Sequence, residues 1–300
     1  MKKKKIDVFN IVLHIGLILL CACFVVPLLL IISASFTSES YLNSGGAIGL
    51  FPHEFTTKAY QAAFANTERM VRAYVVTFSQ AVIGTVLACV VSGMIAYPMS
   101  RTNFRFRGFV TGFVFFTMLF GASTIPTYLV YSKMYHISNT YWVYILPGIS
   151  GGAWNTLVYR TFFKGIPESL FESAHLDGAP ELTVFFKIVV PLSKPAFASL
   201  GFMTLVGKWN NYTTSMIYIR NEKLYTLQYL LQRIIEESEF LKNLKNLEVN
   251  MGNVSIDPNS LPGDSMRFAL CVIAAGPMLL VFPFFQKYFS KGLTIGAVKG

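Results

Sequence analysis

PESLFESAHLDGAPELTVFFKIVVP, residues 167–191, is a compact polar segment set between two long apolar runs. It holds four of the chain's fifteen acidic residues: Glu168, Glu172, Asp177 and Glu181. Pro167 suits the first turn of a helix, where its missing N–H costs nothing. Glu168 beside it favours the positive end of the helix dipole. Leu170, Phe171 and Ala174 then fall on one face, at spacings of three and four. Gly178 can take the left-handed conformation that ends such a helix. Pro180 and Glu181 restart a second helix through Phe185, Phe186 and Ile188, and Pro191 ends or bends it. The segment therefore predicts two short helices on a glycine turn, presenting a small apolar knob and carboxylates to water. A helix lying flat on lipid is the competing reading, but acidic residues near anionic lipid disfavour it.

Everything around this segment reads as membrane. The chain has 300 residues, of which 53% are apolar and only 13% charged, against roughly 25% charged in ordinary globular proteins. Several apolar runs reach or pass the roughly 20 residues that a helix needs to cross a bilayer. The fold class that follows is an all-α polytopic membrane protein with six transmembrane helices. The net charge of +10 is an orientation signal. The N-terminus, the 101–107 turn, the 160–194 loop and the C-terminus together hold fourteen Lys/Arg against five acids, while the remaining loops hold ten against ten. That asymmetry puts the first set, both termini included, in the cytoplasm. It also removes the reason to invoke nucleic acid as a partner. Cys21, Cys23, Cys89 and Cys271 all sit in apolar runs, where small buried hydrophobes are the expected role and disulfides are not.

In chain order, residues 1–8 form a cytoplasmic N-terminus with four lysines at 2–5. The expected spans cover about 9–32, 71–99, 109–131, 141–162, 195–219 and 268–289. The first run is too long for a signal-peptide core of about 7–15 residues. Gly121 and Pro126 are expected to break the outer part of the third span. Pro147, Gly148, Gly151 and Gly152 punctuate the fourth, either for close helix packing or to line a path. The polar loop occupies 163–194 and an external segment 220–267. Within that segment Leu227, Leu231, Ile234, Leu241 and Leu244 recur at three- and four-residue steps, with a break at Ser238, so part of it is an amphipathic helix. It covers either the protein's own outer face or an external partner. Residues 290–300 form a cytoplasmic tail.

No catalytic constellation emerges. Gly201 to Lys208 departs from a phosphate-binding loop in spacing, and Trp209 stands where Ser or Thr is required. The four histidines, at 14, 53, 136 and 175, have no zinc-ligand spacing. No metal site or cofactor is expected in this chain, and any ATP hydrolysis belongs to another chain.

Glu172-Ser173-Ala174, three residues, Gly178, nine residues, then Ile188-Val189-Val190-Pro191 resembles the EAA motif of ABC importer permeases, E-A-A-x3-G-x9-I-x-L-P. Ser173 and Val190 are its mild departures. The stretch 125–148, the Trp209–Tyr212 cluster and the ending 291–300 look like carbohydrate permeases of the maltose-transporter second-permease type. The segment 262–269 looks like the LplC/YtcP-like subgroup of that family. The resemblance covers essentially the whole chain. It implies a non-catalytic permease subunit of an importer in the bacterial cell membrane. The implied partners are a second permease, two cytoplasmic ATPase subunits carrying ATP and Mg, an external solute-binding lipoprotein, membrane lipid and a carbohydrate substrate, expected to be an oligosaccharide. It further implies that the loop is a coupling helix docked in the ATPase. Glu172 would pair with a basic group, Ala174 would permit close approach and Gly178 would make the turn, with Ser173, Leu170, Phe171, Asp177, Ile188 and Pro191 around them. Candidates for a sugar path, chosen as aromatic and amide side chains at membrane depth, are Tyr128, Tyr131, Trp154, Asn155, Trp209, Asn210 and Asn211. Ordinary interhelical packing is the competing reading for each. A permease for a non-sugar solute and an autonomous secondary carrier are the alternatives, the latter needing intramembrane ionisable relays, for which only His14, Lys208 and span-end residues qualify.

Overall fold

The structure is a computed structural model that describes residues 8–251 and 263–297. The lysine run at 2–5, part of the external segment and the last three residues of the tail lie outside the described residues. In chain order the principal helices are α1 (Val8–Ser35), α2 (Thr67–Ser100), α3 (Arg107–Leu119), α4 (Thr124–Leu129), α5 (Gly152–Phe163), α6 (Glu168–Leu176), α7 (Glu181–Val184), α8 (Lys194–Trp209), α9 (Leu227–Met251) and α10 (Asp264–Ala297). Among the described residues there is no strand. Helix is the local solution for an apolar chain that must satisfy its own backbone hydrogen bonds away from water.

Among the described residues three helical stretches are long and apolar enough to cross a membrane: Phe9–Ser35, Thr67–Ser100 and Asp264–Lys287. Two further pairs qualify only if each bent pair is counted as one span. These are Arg107–Leu119 with Thr124–Met134, bent by 110°, and Glu181–Leu192 with Lys194–Trp209, bent by 83°. The structure therefore gives three to five candidate spans where the sequence predicts six. The expected fourth span, 141–162, is not one helix. Tyr141–Tyr144 and Leu146–Gly148 are 3-10 turns, and Gly151 and Gly152 have φ of +68° and +83°. Its only α-helix is the twelve residues of α5, about 18 Å at 1.5 Å per residue, short of a hydrocarbon core of about 30 Å. The expected fifth span, 195–219, stops at Trp209 and resumes as a short helix at Thr213–Tyr218. By contrast α9 runs straight through Ser238, where the sequence predicts a break. A single serine among good helix formers costs too little to end a helix. Leu227 and Leu231 are buried, and the side chains of Leu241 and Leu244 lie outside the described residues.

The chain divides into two compact units, Met1–Thr67 with Leu231–Pro277, and Glu68–Leu230 with Met278–Gly300. In the first, Phe36 stacks on Phe55 and Tyr60 at 5.4 and 4.9 Å. Glu39 caps α10, accepting from the backbone N–H of Asp264 and Ser265 at 2.9 and 3.0 Å and from the Ser265 hydroxyl at 2.7 Å. The carboxylate thus neutralises the positive end of that helix. Gly263 is required there, because a Cβ would lie 1.5 Å from Glu39 Oε1.

The second unit is built on α2, which buries the small residues Ala73, Ala81, Gly84, Ala88, Ser92, Gly93 and Ala96. Small side chains let neighbouring helices approach closely where lipid offers no hydrophobic drive. One core cluster joins Ala96 and Tyr97 to Tyr159, Phe163, Phe171, Ala174, Val184, Phe185, Val189, Ala196 and Leu200. A second joins Val76, Val143, Tyr144, Ile219 and Tyr225.

Candidate functional site

The segment 167–191 folds as its punctuation requires. Pro167 is the N-cap of α6, with φ −57° and ψ 135°. The helix closes on a Schellman arrangement: Gly178 N–H donates to His175 O at 3.0 Å and Ala179 N–H to Ala174 O at 2.9 Å, with Gly178 at φ +71°. Only glycine adopts that conformation without strain. Pro180 caps α7, and a single π-helical turn, Phe185–Val189, follows before Pro191.

The direction of each side chain is the larger finding. Phe171 and Ala174 point into the chain's own core, 1% and 8% exposed. Phe171 lies 6.2 Å from the Tyr97 ring, which is 5.8 Å from Phe185. Leu170 is 40% exposed and does not share that buried face, whereas Leu176 is 89% exposed. Glu172, Ser173 and Asp177 face outward, Ile188 is half-buried and Pro191 exposed. Among the described residues Glu172 has no hydrogen-bond or ion-pair partner. Leu176 lies four residues beyond it, one turn on along the same face. The apolar knob on the outer surface is thus Leu176, and Ala174 is part of the packing that seats the helix.

Side chains from distant positions clasp the loop. The Arg101 guanidinium, at the end of α2, pairs with Glu168 and lies 3.6 Å over the Phe171 ring, a charge–quadrupole contact. The Tyr97 hydroxyl donates to Glu181 Oε2 at 2.5 Å, and His175 Nε2 meets Glu181 Oε1 at 3.0 Å. Arg160 Nε donates to the carbonyl of Met99 at 3.1 Å, tying α5 to the same end of α2. The sequence alone does not single out Tyr97, Arg101, Arg160 or Leu176. Arg101 carries a topology signal there, and nothing local announces its partner 67 residues on.

The sugar-path candidates scatter within this unit. Tyr128 and Tyr131 pack on Tyr218, with ring centroids 5.7 and 5.6 Å away. Asn155 donates to Thr204 Oγ1 at 3.1 Å, and Trp154 is 62% exposed. Trp209 is buried, with Tyr74 6.4 Å from it. Asn210 and Asn211 are exposed in the turn after α8, where Asn211 Oδ1 accepts from Thr214 N–H at 2.9 Å. Among the described residues no hydrogen bond or ring contact joins the tyrosine group to Trp154 or Asn155. Among the described residues no group of three or more His, Cys, Asp or Glu could hold a metal ion.

A family model for binding-protein-dependent transport system inner membrane components matches residues 88–295. The polygalacturonan/rhamnogalacturonan transport system permease protein YtcP of Bacillus subtilis (strain 168) is 35% identical over 292 residues, covering 97% of this chain and 98% of its own length. Protein LplC of the same organism is 35% identical over 277 residues, covering 92% and 90%. Among solved structures, a bacterial ABC transporter involved in the import of the acidic polysaccharide alginate contains a similar chain. It aligns at a TM-score of 0.77 and 27% identity, over 96% of this chain and 99% of that one.

Proposed function

The chain belongs to the family of binding-protein-dependent transport system inner membrane components, and from that membership we propose that it is the permease subunit of an ATP-driven importer for a carbohydrate oligomer. It works in the bacterial cell membrane as half of a permease pair. Two cytoplasmic ATPase subunits bind ATP and Mg, and an external binding lipoprotein delivers the sugar. The full topology in this reading is six crossings with both termini in the cytoplasm: the three long helices, the two bent pairs, and a sixth crossing through the broken segment 141–163 that contains α5. The chain itself does no bond chemistry.

The observation that carries the reading is the outer face of α6. A carboxylate without a partner, Glu172, stands one turn from a leucine that is 89% exposed. The helix beneath is locked by a glycine cap, a buried phenylalanine and an arginine clasp. An exposed leucine beside a carboxylate that has no partner among the described residues, on a rigid support, fits a docking knob at the centre of an interface. ATP binding favours one arrangement of the ATPase pair, and the permease follows only as far as its docked helix is bound more tightly in that arrangement. Glu172 sets the polarity of the contact, and Leu176 fills the pocket it enters.

The test is the complete transporter reconstituted with its partner permease, ATPase and binding protein. Glu172→Lys reverses the charge on the outer face and leaves the buried face of α6 untouched. We expect assembly to weaken and sugar-stimulated ATP hydrolysis to fall by about tenfold or more, as for losing a charged contact at an interface centre. Stimulation equal to that of the unaltered complex would refute the docking role.

A further inference from the structure

Lys208 lies near the end of α8, fourteen residues beyond Lys194 at its start. At 1.5 Å per residue that is about 21 Å along the helix, well inside a hydrocarbon core of about 30 Å if α8 crosses from the cytoplasmic side. A cation at that depth is costly and faces a protein interior or a water-filled cavity. Its surroundings are shaped for it. A Cβ on Gly84 of α2 would lie 2.8 Å from Lys208 Cε and Nζ, and one on Gly148 would lie 3.1 Å from Nζ. Two glycines on separate segments therefore leave the room that the ammonium occupies. Gln80 Nε2 holds the backbone in place, donating to Lys208 O at 2.9 Å.

The ammonium is incompletely satisfied. Its hydrogen bond goes to the carbonyl of Tyr144 at 3.3 Å, and among the described residues no carboxylate pairs with it. An ammonium has three donors, so two remain for water or a ligand. Next to Gly84, the Thr85 hydroxyl is buried and has no hydrogen-bond partner. One turn before Lys208 on α8, Thr204 receives the amide of Asn155. These hydroxyl and amide groups lie on the helices that flank the cation, and a fixed cation with spare donors at membrane depth matches, for a sugar importer, a ring that bears a carboxylate.

Resting on the importer reading above, we propose that Lys208 is a specificity-determining contact for the carboxylate of a uronic-acid-containing oligosaccharide during its passage. The ammonium leaves the weak bond to Tyr144 O and takes the substrate carboxylate as a charge-assisted hydrogen bond. The two glycines keep room for it. A neutral sugar gains nothing from this exchange and a uronate does, so the residue selects substrate and is not needed for transport as such.

The experiment uses the complete transporter in proteoliposomes. ATP-driven uptake is measured for trigalacturonate and for its methyl ester, which keeps the ring and removes the charge. For the unaltered complex, uptake of the acid exceeds that of the ester. Lys208→Met, normalised to assembled complex, is expected to lower acid uptake by about 10- to 100-fold, the range for losing one hydrogen bond to a charged group, with ester uptake changed less than about threefold. Lys208→Arg is expected to retain much of the acid preference, since a cation still reaches the site. Equal loss of acid and ester uptake in Lys208→Met overturns the proposal in favour of a packing role, and so does unchanged uptake of both. If the unaltered complex carries the ester but not the acid, this proposal fails and the importer reading stands. If it carries neither, the proposal fails together with the assignment to this sugar class.

Discussion

Replacing Arg101 tests whether the loop 167–191 is held as a rigid body. The guanidinium is 15% exposed and its partner Glu168 47% exposed, so half of the ion pair is screened by water and contributes about 0.5–1 kcal/mol. The same group 3.6 Å over the Phe171 ring adds about 1 kcal/mol at a partly desolvated site. Arg101→Gln removes both, for about 2 kcal/mol in total, or about thirtyfold in the opening equilibrium of α6. Local opening is read by hydrogen exchange at the amides that close the helix, Asp177, Gly178 and Ala179, bonded to Ser173, His175 and Ala174. These amides should exchange about thirtyfold faster, while those of α2 and α5 keep their protection. Arg101→Lys keeps a charge for Glu168 but loses the flat stacking surface, and should give about fivefold. Acceleration below about threefold in Arg101→Gln would show that the clasp does not hold the helix. Equal acceleration throughout α2 and α5 would show that the residue supports the whole unit. In the proposed transporter the thirtyfold loosening also predicts ATP hydrolysis with less sugar moved per cycle, because a loose contact transmits less displacement.

Gly178→Val places a β-branched residue at φ +71° and should destabilise the loop by about 1–2 kcal/mol. No atom lies within 4 Å of its would-be Cβ, so the cost is conformational, and thermal unfolding should rank Gly178→Asn as milder than Ala and Val as worst. A flat ranking would refute the left-handed cap. Gly263→Ala should expel the Glu39 carboxylate from the start of α10, costing about 1–2 kcal/mol and speeding exchange at Asp264 and Ser265. In a Glu39→Ala background the same change should add almost nothing. Additive effects would separate the glycine from the cap.

How much of this was legible depended on how local its cause was. The turn at Gly178 and the helix start at Pro167 follow from backbone chemistry within a few residues, and the expected segment folds there. The first, second and last candidate spans rest on long, predominantly apolar runs. The middle of the chain is different. Tyr141–Tyr144 is apolar enough to suggest a span, yet its winding is fixed by distant partners. Tyr144 OH bonds Ser215 Oγ and donates to Leu224 O at 2.7 and 2.8 Å, and Tyr141 OH donates to Ser79 Oγ at 2.9 Å. Hydropathy registers that such residues are apolar and not where their hydroxyls go. The face of α6 was hidden for the same reason. Spacing groups Leu170 with Phe171 and Ala174, but Tyr97 and Arg101 decide which of them is buried. Trp209 shows the converse error risk, since an aromatic beside two asparagines suggests a sugar platform and the structure packs the ring against Tyr74.

Two points on α2, its middle and its C-terminal end, connect these observations. Ser100 and Arg101 mark the end where the loop is clasped, and Gly84, against which Lys208 rests, lies on the same helix. Between Gly84 and Ser100 the helix is continuous, about 24 Å of it at 1.5 Å per residue. Pro98 is the one residue there that weakens the ladder, and it sits a single turn from the clasped end. A displacement imposed on α6 through Arg101 and Tyr97 is therefore delivered to a stiff rod, not a chain of loops. The same rod forms one wall of the space around the Lys208 ammonium. Because packed helices shift between discrete arrangements and do not stretch, a small movement of that wall would, on the proposed role of Lys208, decide whether the ammonium meets Tyr144 O or a substrate carboxylate. In the proposed importer, substrate contact and ATPase contact would then be two readings of the position of one helix, set at Glu172 on the outer face of α6 and at the Lys208 ammonium.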